Sequence, residues 1–379
     1  MDVSDLMPTL RTKRNAMKRI FRIIALSFAA TAIAVSAYAH RNLPQTAIKT
    51  LNSAIEIMDD GKPDVAADIL KELYRMYPDS YSIPYELALA YMWNGDFDSV
   101  VSVVSPLENH PDCLPEVFSL LGSAYDELGD YQKALDTYDR GLTRFPESGH
   151  LCVEKGIVWL RKNDVAKALD NFEHGISVDP GYAPNYYRAA TIYADSGIPV
   201  YGLLYAEAHQ FLSDNSDRNT QMAALIRSIY ENQITVNGDS INIKLTNRMN
   251  KNMESPVNFY EIGIALGVDG VKNGWTLEGV KKMRATALSL IAGMKTAEEL
   301  NRMYILAYQL RVKEAGHWDA YNIYVLGAAF PEECEEWFKS EANEAAFDRF
   351  AEWYRNNPFT LDKDHTVGRL AAELENTSK

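Results

Sequence analysis

The chain has 379 residues, enough to bury a substantial core and more than a usual single domain. With 47% hydrophobic and 11% aromatic residues, 22 of them tyrosine, it is a folded protein and not a disordered one. Acidic residues outnumber basic ones 52 to 38, and the formal charge of −14 excludes ordinary nucleic-acid binding, because phosphate contacts need a basic surface.

The first element is a targeting segment. From Met17 the chain reads MKRIFRIIALSFAATAIAVSAYAH. Lys18, Arg19 and Arg22 form a basic region, Ile23 to Val35 an apolar one, and Ala37-Tyr38-Ala39 a small-residue cleavage site. That is the layout of a secretory signal peptide over residues 1–39, so an exported protein, periplasmic or secreted, is expected. Sixteen residues before Met17 are long for such a leader, which favours translation starting at Met17. The alternative is an uncleaved inner-membrane anchor over residues 23–39, at the short end for a span. Removing residues 1–39 leaves 32 basic against 50 acidic residues, a net of −18 that favours basic or neutral partners. The three cysteines, Cys113, Cys152 and Cys334, permit at most one disulfide.

Residues 44–214 are governed by a 34-residue period. Tyr91, Tyr125, Trp159 and Tyr193 fall in one column, and Ala88, Gly122, Gly156 and Ala190 in another. Gly95, Gly129, Asn163 and Gly197 form a third; Ala66, Val100, Ala134, Ala168 and Gly202 form a fourth. Pro78, Pro111, Pro146 and Pro180 close successive units. In the stretch LGSAYDELGDYQKALDTYDRGLTRFP, Phe118, Leu121, Gly122 and Tyr125 share one helical face. Gly129 suits a left-handed helix end and Asp130 the cap of the next helix. Gly122 and Ala134 let two backbones approach, Tyr125 and Tyr138 fill the space beyond, and Pro146 stops the second helix. One such hairpin cannot bury its own face, so the copies must stack into a superhelix, with the aromatic columns as core.

This pattern resembles the tetratricopeptide repeat. The match is strong in the copies at 115–148 (Gly122, Tyr125, Ala134, Pro146) and 149–182 (Gly156, Trp159, Ala168, Pro180). It is weaker at 47–80, 81–114 and 183–214. The resemblance implies that the first helix of each copy lines a concave groove. By its register the groove residues are Tyr85, Leu89, Met92 and Trp93, then Glu116, Ser119, Ser123, Asp126 and Glu127. The fourth copy supplies His150, Val153, Ile157 and Arg161, and the fifth Tyr187, Thr191 and Asp195. No Lys–Asn pair stands where family members that clamp a terminal carboxylate carry one. An apolar strip beside an acidic patch instead implies a protein or peptide partner with apolar anchors and a basic residue, or self-packing against another part of this chain.

Beyond residue 215 the period is lost and a helical region runs to about 360, followed by a polar tail at 361–379. Thr220 to Gln233, Met253 to Asn273, Thr276 to Met294 and Thr296 to Ala315 read as helices, Thr296 with Glu299 as a capping box and Gly316 as a stop. ITVNGDSINI reads as a short β-hairpin turning at Asn237-Gly238. Pro331 suits a first helical turn, and Phe347, Phe350 and Tyr354 form a core stripe.

Chemistry leaves little trace. His317 and Asp319 lie two residues apart, which on a helix makes them diverge, and Glu332, Glu333, Glu335 and Glu336 suit a helix start. No catalytic or phosphate-binding motif is present, and no cofactor or metal is expected. The sequence thus reads as an all-α protein: a superhelix of about five helix-turn-helix repeats, a helical C-terminal region and a short hairpin. The expected function is a non-catalytic interaction scaffold of the cell envelope. The alternatives are an enzyme or enzyme subunit with its site in the C-terminal half, and an assembly factor of a membrane complex. Membrane association is expected only through an uncleaved N-terminal segment or a partner.

Overall fold

Four sharp turns set the frame. In the computed structural model, Gly61, Gly95, Gly129 and Asn163 all have positive φ, between 58° and 79°, and lie at a constant step of 34 residues. Each ends one helix in the left-handed conformation that glycine adopts freely and asparagine tolerates. After three of them an aspartate caps the next helix: Asp96 accepts from the Ser99 amide, Asp130 from that of Lys133 and Asp164 from that of Lys167. Gly197, in the same column, has no positive φ, and the fifth copy turns differently through Ser196 and Pro199. The structure describes residues 43–237, 240–244, 256–293, 303–362 and 365–367. The targeting segment and the Thr296–Glu299 capping box lie outside them.

The chain divides after Ala168 into two compact units. In the first, α1 (Gln45–Asp59), α2 (Pro63–Met76), α3 (Ser82–Trp93), α4 (Phe97–Val104), α5 (Pro115–Glu127), α6 (Tyr131–Arg144) and α7 (Gly149–Arg161) follow in order, and α8 (Val165–Val178) spans the division. A short 3-10 turn, Ser105–Asn109, extends α4. Successive helices from α1 to α7 pack on one another, and α1, α3, α5 and α7 also touch in series. That is the stacking of hairpins that a repeat needs to bury its apolar faces. Close approach is literal at Gly122, where a Cβ would lie 2.4 Å from the Tyr138 ring, and at Gly141, where it would meet Phe118 at 2.8 Å. Tyr91, Tyr125 and Trp159 are only half-buried, against their expected core role. Lysines lie over their open faces: Lys71 over Tyr91, Lys133 over Tyr125 and Lys167, at 4.2 Å, over Trp159.

The second unit holds the rest of α8 with α9 (Ala183–Ala194), α10 (Val200–Leu212), α11 (Ser216–Gln233) and the hairpin β1 (Ile234–Asn237) and β2 (Ser240–Ile243). Then come α12 (Pro256–Leu266), α13 (Leu277–Ile291), α14 (Tyr304–Glu314), α15 (Trp318–Leu326), α16 (Pro331–Trp337) and α17 (Glu341–Asn356). The strands are antiparallel with Asn237 opposite Ser240, so Asn237 belongs to the ladder and not to the turn as its sequence suggests. The helix expected over 253–273 ends at Leu266 in the described residues. There Gly263 and Gly267 bring its backbone against Ala287 and Met283 of α13, and Val268–Gly270 continues as a 3-10 turn. Thr276 caps α13, Gly316 turns with φ 77° after α14, and Phe347 and Phe350 are buried, as the sequence suggests. Helix α10 is buried on every side from Val200 to Phe211, so it is the hub of this unit.

Candidate interaction groove

Helix α3 presents an open apolar surface. Its buried side carries Ile83, Leu87, Ala88 and Ala90, which leaves Tyr85, Leu89 and Met92 half-buried and Trp93 55% exposed on the other. Spacings of four, seven and eight residues from Tyr85 place these four on one face. Beside Tyr85 on the same turn, Glu86 is partly buried and has no ion pair or hydrogen bond among the described residues. Burial first, and the charge of Asp59 second, push its carboxyl up to about 7. Helical register alone did not single out Glu86; its only sequence signal is adjacency to Tyr85.

The polar residues of α5 are answered by α6 and α7. Ser119 Oγ lies 3.3 Å from His150 Nε2, and Ser123 Oγ 3.3 Å from the Tyr138 hydroxyl. Arg161 Nε lies 3.1 Å from Asp126 Oδ2, while its Nη2 donates to Glu127 Oε1 at 2.5 Å. The expected acidic patch is therefore partly neutralised from within, by a residue one repeat further along. Asp126 is also a surface expectation corrected: its side chain is 7% exposed, and burial raises its carboxyl above the ordinary value although Arg161 opposes the shift. Glu116 and Glu127 remain exposed, and Ile157 is half-buried. Val153, expected to line the groove, is 5% exposed and belongs to the interior, because the face it occupies on α7 is covered.

In the second unit, Tyr187 is half-buried against α10 and α11. Its hydroxyl donates to Gln221 Oε1 at 2.7 Å, and Arg218 of α11 lies 5.3 Å from its ring. His209 packs on the ring as well, at 5.5 Å. On this side α11 packs against the face of α9 that carries Tyr187.

The residues weighed for catalysis do not converge. Asp319 pairs with Lys281 at 3.0 Å, whereas His317 packs against Phe350 and Trp353, and burial and Arg349 lower its affinity for a proton. Among the described residues no group of three or more His, Cys, Asp or Glu side chains is placed to hold a metal. None of the three cysteines is in a disulfide, and two of them are buried. The polar constellation that sequence reasoning missed is inside the second unit. Glu207 of α10 receives hydrogen bonds from Arg284, from Tyr321 and, at 2.6 Å, from Gln309, and Arg284 donates to Asn322 at 2.8 Å. Arg284 is fully buried and the Glu207 side chain 4% exposed, so this network serves the core and offers no opening to substrate.

A tetratricopeptide-repeat family model matches residues 58–124, and a second one matches residues 119–174. No curated protein matches the chain. Among solved structures, MamA from Desulfovibrio magneticus RS-1 is similar at 16% identity, covering 49% of this chain and 97% of that one, with a TM-score of 0.35. A thermophilic tetratricopeptide-repeat protein of Thermus thermophilus is similar at 15% identity over 48% of this chain and 99% of its own, with a TM-score of 0.40. YrrB, described as a tetratricopeptide-repeat protein with an unusual peptide-binding site, is similar at 16% identity over 49% of this chain and 95% of its own, with a TM-score of 0.33. Matched family models, left-handed turns one repeat apart and stacked helical hairpins agree: residues 58–174 are tetratricopeptide repeats.

Proposed function

We propose that this chain is a non-catalytic interaction scaffold that takes a peptide or protein segment on the first-helix face of α3, α5 and α7. The observation that carries this reading is the exposed Trp93 in line with Tyr85 and Leu89, with the carboxylates of Glu86 and Glu116 near Tyr85. A segment with a large apolar anchor and a nearby basic residue complements that surface in shape and in sign. Burying an indole and a leucine against a partner supplies affinity, and the carboxylates select what lies beside them. The Trp93→Ala/Leu89→Ala double variant should weaken peptide binding at least about tenfold with folding retained, since truncating central apolar anchors typically costs more than about 1 kcal/mol. Binding unchanged in that variant would remove α3 from the site.

The working place of this scaffold is the cell envelope. The reading rests on the basic, apolar and small-residue succession of residues 17–39. No helix among the described residues is long and apolar enough to cross a membrane. N-terminal sequencing of the mature protein should begin at His40, and a retained Met17 would replace export by anchoring.

A further inference from the structure

In the free protein one guanidinium already sits in the groove. Arg161 reaches back from α7 to two adjacent carboxylates of α5, Asp126 and Glu127, which lie one repeat behind it. The contact is an incomplete one. Arg161 makes a single hydrogen bond to Glu127 and an ion pair to Asp126 Oδ2, while Asp126 Oδ1 is buried and has no hydrogen-bond partner among the described residues. The Asp126 side chain is more than nine-tenths buried, and among the described residues no other cation lies against it, with Glu127 and Glu154 adding negative charge nearby. A guanidinium delivered from outside can approach with its fork on one carboxylate, the geometry that gives the strongest charge-assisted pairs. Arg161 itself is 42% exposed on a flexible stem, so it can give way as an incoming guanidinium takes its place on the two acids.

We propose that Asp126 and Glu127 form a guanidinium subsite of the groove, occupied in the free protein by Arg161, which an arginine of the bound segment displaces. This deepens the groove reading and rests on it. Arg161 is then a specificity-determining residue. It screens the two acids from stray cations and leaves them available to a side chain that brings the same planar fork together with neighbouring anchors.

The test uses the full chain and small probes: ethylguanidinium against ethylammonium at matched ionic strength, and N-acetyl-arginine amide against its neutral isostere N-acetyl-citrulline amide. Arg161→Ala should melt at a lower temperature than the parent and recover with ethylguanidinium, but much less with ethylammonium. It should bind N-acetyl-arginine amide at least about tenfold more tightly than the parent does, a factor expected for removing an internal competitor of modest strength. The citrulline compound should not bind. Asp126→Asn/Glu127→Gln/Arg161→Ala should lose the response. If Arg161→Ala does not fold, Arg161→Lys serves, because it keeps a cation but lacks the fork and should still yield to ethylguanidinium. Equal binding by parent and variant, or an undiminished response in the triple variant, would overturn the proposal. The groove reading fails separately, if peptide binding ignores Leu89 and Trp93.

Discussion

Arg140 and Arg284 each hold a carboxylate from a distant part of the sequence, in opposite surroundings. In the repeats, Arg140 grips Glu108 with two hydrogen bonds, of 3.0 and 2.8 Å, and remains half exposed. In the second unit, Arg284 and Glu207 meet where neither sees solvent, with Gln309, Tyr321 and Asn322 completing the cage. The repeats derive their stability from apolar faces stacked in series, and most of their ion pairs stay at the rim. The second unit carries a polar core inside a helix, α10, that has no solvent face at all. Glu173 adds to that core, accepting from the hydroxyls of Tyr193 and Tyr205. One region is thus assembled from interchangeable local contacts and the other from a network in which each member needs the rest.

The largest expected effect breaks this contrast directly. Arg284→Met leaves Glu207 as a buried charge without its cation and should cost the second unit about 3–5 kcal/mol, read by denaturant unfolding and by loss of amide protection along α10. A cost under about 1 kcal/mol would mean that the network is ornamental. Next comes the close approach that defines the repeats. Gly122→Ala sets a methyl 2.4 Å from the Tyr138 ring, and overpacking of that kind should cost about 1–3 kcal/mol in the first unit.

Glu86 gives a pH signature in the first unit. Its carboxyl is raised from 4.5 to about 7, so the folded chain holds a proton that the unfolded chain has released. Stability from this group is therefore full below about pH 4.5 and is lost as pH rises toward 7. Glu86→Gln should stabilise the protein at pH 8, by on the order of 1–2 kcal/mol, with the gain vanishing at pH 4.5. A gain independent of pH would contradict the assigned cause. The smallest effect is Arg140→Ala, which should cost less than about 1 kcal/mol and less still in high salt, measured as a shift in melting temperature.

The two regions also differ in what their residues disclose before folding. The repeats were legible because their constraints are local and recur: Gly95, Gly129 and Asn163 mark left-handed turns, and Asp130 a helix cap. Gly61 obeys the same rule in the first of the weaker copies. The groove was legible as a helical face but not in its electrostatics. Register lists Asp126, Glu127 and Arg161 without saying that they pair across a repeat, and it passes over Glu86. The core of the second unit was illegible for a simple reason: the partners of Glu207 stand 77 to 114 residues from it, with no period to join them. A glutamate, a histidine and a glutamine within the mostly apolar run of α10 were the only hint, since a helix buried all round must satisfy such groups internally.

Whether the first-helix face of α3, α5 and α7 binds a peptide decides between a scaffold and a merely structural repeat. Selection of displayed random peptides on the full chain, with Leu89→Ala/Trp93→Ala as the counter-target, tests this most directly. The prediction is enrichment of segments that pair a large apolar residue with an arginine and that lose binding on the counter-target. No enrichment, or enriched segments that bind parent and counter-target alike, would contradict it.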